Sequence, residues 1–335
     1  MEKLLGKFGV IKVESKKVII TGANGFLGSN LTRFFLKKGY DVHITVRKSS
    51  DLWRIKEIIA ELSVSYLNKS SKEEFEDVIQ FVKPDTLINA IGADQKKYIR
   101  DESSTWFGNI DCLVNITRSL KNWTNISLIQ LGSSFEYGRT TLINNPVNEN
   151  TICEPVSEYG ITKLLSTEYL RYLGMNEILY SASVRIFNVY GQFESPERLI
   201  PDIVIKNLTG SKVILKNPKV SRDFIHVDDV VEVIRLLVEK QNYINENKFD
   251  ILNVGTGMPH TVEEVANYIL KNTASRMPIE TNQLDNRPEN SYPGPIADIQ
   301  KIKKSLGWKP RFTLEDGLKD TVDWFKKHAE LYKNL

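Results

Sequence analysis

The sequence predicts an α/β chain: a Rossmann-type doubly wound parallel sheet with a smaller C-terminal α/β lobe. Three observations predict it. Short β-branched apolar runs alternate with helical patterns as far as Tyr190, the signature of a parallel sheet with crossover helices. The stretch VIITGANGFLG, Val18 to Gly28, sets Gly22, Gly25 and Gly28 at a GxxGxxG spacing directly behind the first of those runs. Beyond Tyr190 the character changes, with Pro196, Pro201, Pro218, Pro259, Pro278, Pro288, Pro293, Pro295 and Pro310 separating short elements. Proline fixes φ and removes a donor, so this half is expected to be rich in loops and small helices.

The first strand is KKVIIT, and the helix FLGSNLTRFFLKKG follows its glycine turn. A strand that turns on glycines into a helix offers bare backbone N–H groups and a positive helix end to a pyrophosphate. The same spacing also fits an empty tight turn. DVHITV reads as the second strand, EEFEDVIQFV as a helix and DTLINAIG as the next strand. A helix near Asn109 to Leu120, the strand ISLIQLGSS, a helix from about Tyr159 to Leu173 and the strand YSASVRIF complete the alternation. A further apolar run, FDILNVGT at Phe249 to Thr256, is able to return to the sheet. The dinucleotide-binding domain is therefore placed at 15–190 with the returning strand near 249–256, and the second lobe at 191–248 and 257–335. The terminal helix, Leu314 to His328, spaces Leu318, Val322 and Phe325 into an apolar stripe that reads as packing.

Composition narrows the partners. The 335 residues are long enough for a sizeable core, and 45 basic against 42 acidic side chains leave a net charge of +3. That balance gives no drive toward nucleic acid or a membrane surface, so a small-molecule partner is expected. The two cysteines, Cys112 and Cys153, have no metal-ligand spacing and form no disulfide framework; a reduced, cytoplasmic protein without a metal is expected. No segment has the apolar length of a membrane span, and the first residues lack the unbroken apolar centre of a secretion signal. His43, His226, His260 and His328 form no convincing metal or catalytic set.

Chemistry concentrates at two places. Tyr159 and Lys163 in YGITK lie four residues apart, and on a helix that spacing stacks both side chains on one face. A phenol with a pKa of about 10 is a poor base at neutral pH, but a nearby ammonium favours phenolate and brings the group toward its working range. Where a strand ends, LGSSFEYG supplies Ser133 and Ser134, hydroxyls able to hold a substrate oxygen. A lone Y-x-x-x-K also fits a surface pair. The order glycine turn, serine pair, then Tyr and Lys makes the set specific.

With those residues in place, the chain resembles the extended short-chain dehydrogenase/reductase family of nucleotide-sugar epimerases, dehydratases and ketoreductases. The likeness covers nearly the whole sequence through TGANGFLG, INAIGA, FGNID, LGSSFEYG, YGITK, RIFNVYG, SRDFIHVDD, NVGTG and LGWKPRFTLEDGL. It implies that Tyr159 is the general acid/base for a sugar hydroxyl or carbonyl. Lys163 would lower its pKa and bind the nicotinamide ribose, and Ser133 would hydrogen-bond the reacting oxygen. Hydride would pass between C4 of the nicotinamide and a sugar carbon. The resemblance also assigns Gly22, Asn24, Gly25, Phe26, Leu27, Gly28, Ala90 and Asn109 to the cofactor. Ser134, Asn188, Arg222 and Arg287 go to a nucleoside diphosphate-sugar, and a homodimer is implied. For Arg222 the alternative is a salt bridge with Asp223, Asp228 or Asp229; around Arg287 the chain departs from the family, with Glu289-Asn290 where many relatives carry Gly-Asp.

Cofactor and reaction follow from what replaces what. An NAD enzyme usually places a carboxylate after the second strand to accept from the ribose hydroxyls. This chain has Arg47, Lys48, Ser49 and Ser50 there, a set that suits a 2′-phosphate and resembles the basic-serine run of NADP-using relatives. NADP(H) is therefore expected, with NAD the alternative and a solvated basic loop the plain reading. The family's dehydratases carry an Asp-Glu pair where Ser134 and Phe135 stand, which disfavours dehydration. The cysteine and histidine of double epimerisation are replaced by Phe135 and by the Gln192-Phe193 segment. NADPH-dependent reduction of a 4-keto nucleoside diphosphate-sugar is the expected function. C4 epimerisation on tightly bound NAD is the first alternative, and a catalytically silent dinucleotide-binding regulatory protein the second.

Overall fold

The computed structural model describes residues 16–92, 105–123, 125–273, 279–282 and 294–332. Its central sheet has seven strands: β1 (Lys17–Thr21), β2 (Asp41–Arg47), β3 (Ser63–Leu67), β4 (Thr86–Asn89), β5 (Ser127–Ser133), β6 (Ser181–Ile186) and β10 (Phe249–Val254), in the order β10-β6-β5-β4-β1-β2-β3. Every pairing is parallel. Both faces of such a sheet are covered, which is why β4, β5 and β6 are buried along their whole length. The order reverses between β1 and β4, and in open α/β sheets ligands bind at that switch point, outside the carboxyl ends of the strands.

Helices follow from capping as much as from periodicity. Helix α1 (Phe26–Lys37) starts at Gly25, while α2 (Lys72–Val82) is nucleated by a capping box between Ser71 and Glu74. Helix α3 (Cys112–Leu120) is preceded by a π turn at Phe107–Asp111, so the segment expected as one helix from Asn109 has a bulge at its start. Helix α4 (Glu158–Met175) is capped by the Ser157 hydroxyl, which accepts from the Gly160 N–H.

The edge strand β3 was not among the strands expected from sequence. Of its five residues only Leu67 is buried, so SVSYL lacks the apolar run that marked its neighbours. The returning strand β10 takes the opposite edge beside β6.

Beyond β6 the chain builds small sheets and short helices. Strand β7 (Asn188–Tyr190), helix α5 (Leu199–Leu208) and strands β8 (Val213–Lys216) and β9 (Ser221–His226) precede helices α6 (Val227–Glu239) and α7 (Gln241–Asn247). After β10 come β11 (Pro259–Thr261), α8 (Val262–Thr273), β12 (Ile279–Asn282), α9 (Gln300–Leu306) and α10 (Leu314–Lys327). Strands β11, β9 and β7 form one sheet and β12 and β8 another. A second core joins Ile203, Val213, Phe224 and Val265 to Leu318, Val322 and Phe325 of α10.

The two lobes are more interleaved than the linear boundaries imply. Val230, Ile234 and Leu237 of α6, Ile244 of α7 and Ile302 and Leu306 of α9 pack into the same core as β1, β2 and β5, although their segments were placed in the second lobe from sequence. Among the described residues no helix is long and apolar enough to cross a membrane.

Candidate active site

Three glycines shape the turn after β1. Gly22 has φ +67°, and a Cβ there would lie 2.6 Å from the Ala90 carbonyl oxygen, so only glycine fits the switch point. A Cβ on Gly28 would come within 2.2 Å of the Gly22 carbonyl oxygen, which brings the first turn of α1 hard against the strand end. Gly25 is the N-cap of α1; no side chain caps the helix and no acidic residue stands in its first turn. Its leading N–H groups are thus left for a ligand, the arrangement a pyrophosphate requires. Phe26 and Leu27 open that helix half-buried, Asn24 bonds the Asp51 carbonyl at 3.4 Å, and Ala90 follows β4 directly, its N–H donating to Thr21.

Sequence reasoning missed a brace on this turn. Arg54 donates from Nε to the Phe193 carbonyl (2.8 Å), from Nη2 to Ser195 Oγ (3.0 Å) and from Nη1 to the Asn24 carbonyl (3.4 Å). It ties the glycine turn to the loop after β7. No motif marks it in the sequence.

At the end of β2, Arg47, Lys48 and Ser49 are exposed in a tight turn closed by the Ser50 N–H on the Arg47 carbonyl. Among the described residues no carboxylate pairs with either cation, so both remain available to a phosphate.

The reacting groups converge at the ends of β4 and β5. Lys163 is buried, and its Nζ donates to the Leu131 carbonyl at 2.9 Å. Burial pushes its ammonium down to about 8, while the negative charge of Glu136 opposes that fall. The Nζ lies 5.8 Å from the centroid of the Tyr159 ring, one helical turn earlier, and Phe135 meets that ring edge-on at 5.9 Å. A Cβ on Gly160 would fall 2.5 Å from the Phe135 carbonyl oxygen, so glycine lets α4 sit directly on the turn that carries the serines. Ser133 ends β5, its Oγ accepting the Phe135 N–H at 3.2 Å, and Ser134 is buried behind it.

Asn109 completes the pocket. It sits in the π turn, donates from Nδ2 to Thr162 Oγ1 at 2.9 Å, and its buried Oδ1 has no partner among the described residues. A Cβ on Gly92 would stand 3.4 Å from Lys163 Nζ and 3.6 Å from Asn109 Oδ1, so the ammonium and the orphaned oxygen face one shared space. A buried acceptor without a donor is costly unless a ligand supplies one. Glycine cradle, free helix end and orphaned Asn109 oxygen together fit a dinucleotide.

The expected substrate groups lie on the second lobe's side. Asn188 opens β7 and donates to the Asp223 carbonyl at 3.4 Å. Arg222 is half-buried on β9, with Gly294 packed against its side chain. Arg222 is not without a partner, and each of the three carboxylates expected as its alternatives also accepts from other groups. Asp223 accepts from Thr256, Gly257 and Ala297, Asp229 from the Arg311 and Phe312 N–H groups, and Asp228 from Gln192. Arg287 lies outside the described residues. His226 is fully buried against Phe312 and Tyr190, and His43 bonds Ser65, so both are packed within the fold. Among the described residues no three His, Cys, Asp or Glu side chains gather to hold a metal.

A model of the NAD dependent epimerase/dehydratase family matches residues 18–255, which include the glycine turn, the serine strand and the Tyr159–Lys163 helix. The chain belongs to that family. A putative UDP-glucose 4-epimerase of Methanocaldococcus jannaschii is 27% identical, over 93% of this chain and 99% of its own length. Protein CapI of Staphylococcus aureus is 26% identical over 95% and 99%. Among solved structures, a Thermotoga maritima UDP-glucose 4-epimerase with UDP-glucose superimposes with a TM-score of 0.83 at 23% identity, covering 93% of this chain and 99% of that one. A Bacillus anthracis dTDP-glucose 4,6-dehydratase in complex with NAD gives 0.83 at 23%, covering 96% and 99%. At such identities the structures establish the epimerase/dehydratase fold, and they agree with the seven-stranded parallel sheet derived above.

Proposed function

We propose that the chain reduces a 4-keto nucleoside diphosphate-sugar with NADPH. The reading is carried by Arg47 and Lys48, exposed at the end of β2 without a carboxylate partner among the described residues. A 2′-phosphate gains charge-assisted hydrogen bonds from such a pair, whereas adenosine ribose hydroxyls would want the carboxylate that is missing. NADPH draws on a reducing pool and suits net reduction.

In this reading a nicotinamide held at the glycine turn, Asn109 and Lys163 would supply the hydride that reduces the sugar carbonyl. Tyr159 donates the phenolic proton to the oxygen, Ser133 Oγ orients that oxygen, and the Lys163 ammonium stabilises the resulting phenolate. Asn109 Oδ1 and Lys163 Nζ face the space where the nicotinamide ribose would bind. Asn188 and Arg222 take the substrate diphosphate, and Ser134 lines the sugar side. Phe135 against Tyr159 puts a ring where a second acid/base would be needed for dehydration or double epimerisation.

C4 epimerisation on tightly held NAD is the second reading, favoured by the names of the M. jannaschii relative and the T. maritima structure. One assay separates them. Purified protein incubated with NADPH and a nucleoside diphosphate-4-keto-6-deoxysugar is expected to consume one NADPH per sugar reduced. Interconversion of a nucleotide-sugar pair with no net NADPH oxidation would establish the epimerase instead.

A further inference from the structure

One buried charge pair has no part in the chemistry above. Glu136 and Arg185 meet with Nε–Oε2 at 2.8 Å, their side chains 0% and 2% exposed. A buried ion pair is weak evidence for stability, since well-packed apolar residues of similar volume serve as well or better. Position sets this one apart. The second oxygen, Oε1, accepts the Ser133 N–H at 3.0 Å, and the Ser133 hydroxyl accepts from Phe135, closing a capping box on the turn Ser134–Glu136. A Cβ on Gly132 would lie 2.8 Å from Oε1, so glycine there lets the carboxylate reach the strand end.

The surroundings of both groups are defined. Arg185 on β6 faces Glu136, with the Tyr137 ring 4.7 Å from its guanidinium carbon, the Glu149 carbonyl 3.4 Å from Nη1, and Cys153 near. Lys163 on α4 faces the Leu131 carbonyl from β5 and the Tyr159 ring from its own helix, and Glu136 is the carboxylate whose field reaches it.

We propose that Glu136, clamped by Arg185, is a positioning residue: its carboxylate fixes the Ser133 backbone and sets a buried negative charge at the end of β5, the strand whose Leu131 carbonyl holds the Lys163 ammonium. The inference rests on the roles proposed for Ser133, Tyr159 and Lys163. Glu136→Gln keeps an acceptor for the Ser133 N–H and removes the charge. Glu136→Asp keeps the charge and draws it back from Ser133. Glu136→Met with Arg185→Met removes both charges and strands neither, so this pair of changes carries the test if Glu136→Gln fails to fold.

Steady-state kinetics across pH are measured on each folded variant. Glu136→Gln should move the alkaline limb of kcat/KM to lower pH. Glu136→Asp should hold the limb and lower kcat about ten- to a hundredfold, with KM for the nucleotide-sugar nearly unchanged. The double variant should show both effects. Titration of Lys163 by isotope-labelled lysine NMR, assigned with Lys163→Arg, reads the same charge without turnover. The ammonium should titrate lower in Glu136→Gln, or in the double variant, than in the wild type. A double variant with wild-type kcat and limb, or an unchanged Lys163 titration, overturns the proposal. An inactive wild type would instead sink the proposed activity, and the titration would still decide the role of Glu136.

Discussion

Lys163 is held between two opposed effects. Burial favours the neutral amine and brings its pKa down to about 8, while Glu136 favours the ammonium. The charged form is therefore present below about pH 8 and lost above it. If the ammonium stabilises a Tyr159 phenolate, kcat/KM falls as pH rises through that region; a profile flat to pH 10 would remove Lys163 from the chemistry. Tyr159→Phe deletes the proton and keeps the ring that packs on Phe135, so kcat should drop at least about a hundredfold while coenzyme affinity by fluorescence titration stays near wild type. A comparable kcat would give the proton transfer to another group. Arg47→Asp is expected to weaken NADPH binding about ten- to a hundredfold, as a lost charge-assisted hydrogen bond implies, and to leave NADH binding unchanged or improved. Retained preference for NADPH would refute the 2′-phosphate assignment. These residues were legible because their spacing and order carry the chemistry. Glu136 is less legible: Ser133-x-x-Glu136 has the capping-box spacing, but its charged partner, Arg185, is 49 residues away in sequence.

Element-level order depends on close approach at the strand ends. Gly28→Ala places a methyl group 2.2 Å from a backbone oxygen that cannot swing aside, which pushes α1 off β1. A cost of about 1–3 kcal/mol is expected from such overpacking, visible as a lower Tm, together with weakened coenzyme binding because the free N–H groups of α1 lose their aim. Unchanged melting and binding would show that the turn relaxes. The same physics explains which elements the sequence revealed. Strands β1, β2 and β4 are largely buried and carry apolar runs, β5 and β6 are fully buried but mix Ser, Gln and Arg among their apolar residues, and β10 lies at the edge. Strand β3 is half-exposed and is recruited by pairing with β2 from His43–Ser63 to Arg47–Leu67, a tertiary decision with little local signal. The π turn at Asn109 was likewise invisible, because a one-residue bulge leaves helical periodicity almost intact.

At the scale of the whole molecule, the described residues leave an apolar surface on α4 that their own packing does not use. Helices α3 and α4 lie on the outside of the sheet, and between them a cleft of about 240 Å³ is lined by Ile110, Leu113, Val114, Leu165, Ser166 and Tyr169. Leu165 is 44% exposed, Ile161 and Tyr172 on the same helix 41% and 56%. The second lobe packs on the sheet through α6 and α9. Large apolar side chains spaced at positions 161, 165 and 172 form a stripe that a second copy of the chain would cover with its own, in the two-fold arrangement that lets one patch meet itself. Each protomer would still hold its own Ser133, Tyr159 and Lys163, since the opposite face of α4 carries the site. Leu165→Glu would then desolvate a charge against its own symmetry mate. Light scattering after gel filtration should give twice the chain mass for the wild type and the single-chain mass for Leu165→Glu, with coenzyme binding retained. A wild type that runs as a monomer at micromolar concentration would assign this stripe to another partner or to none.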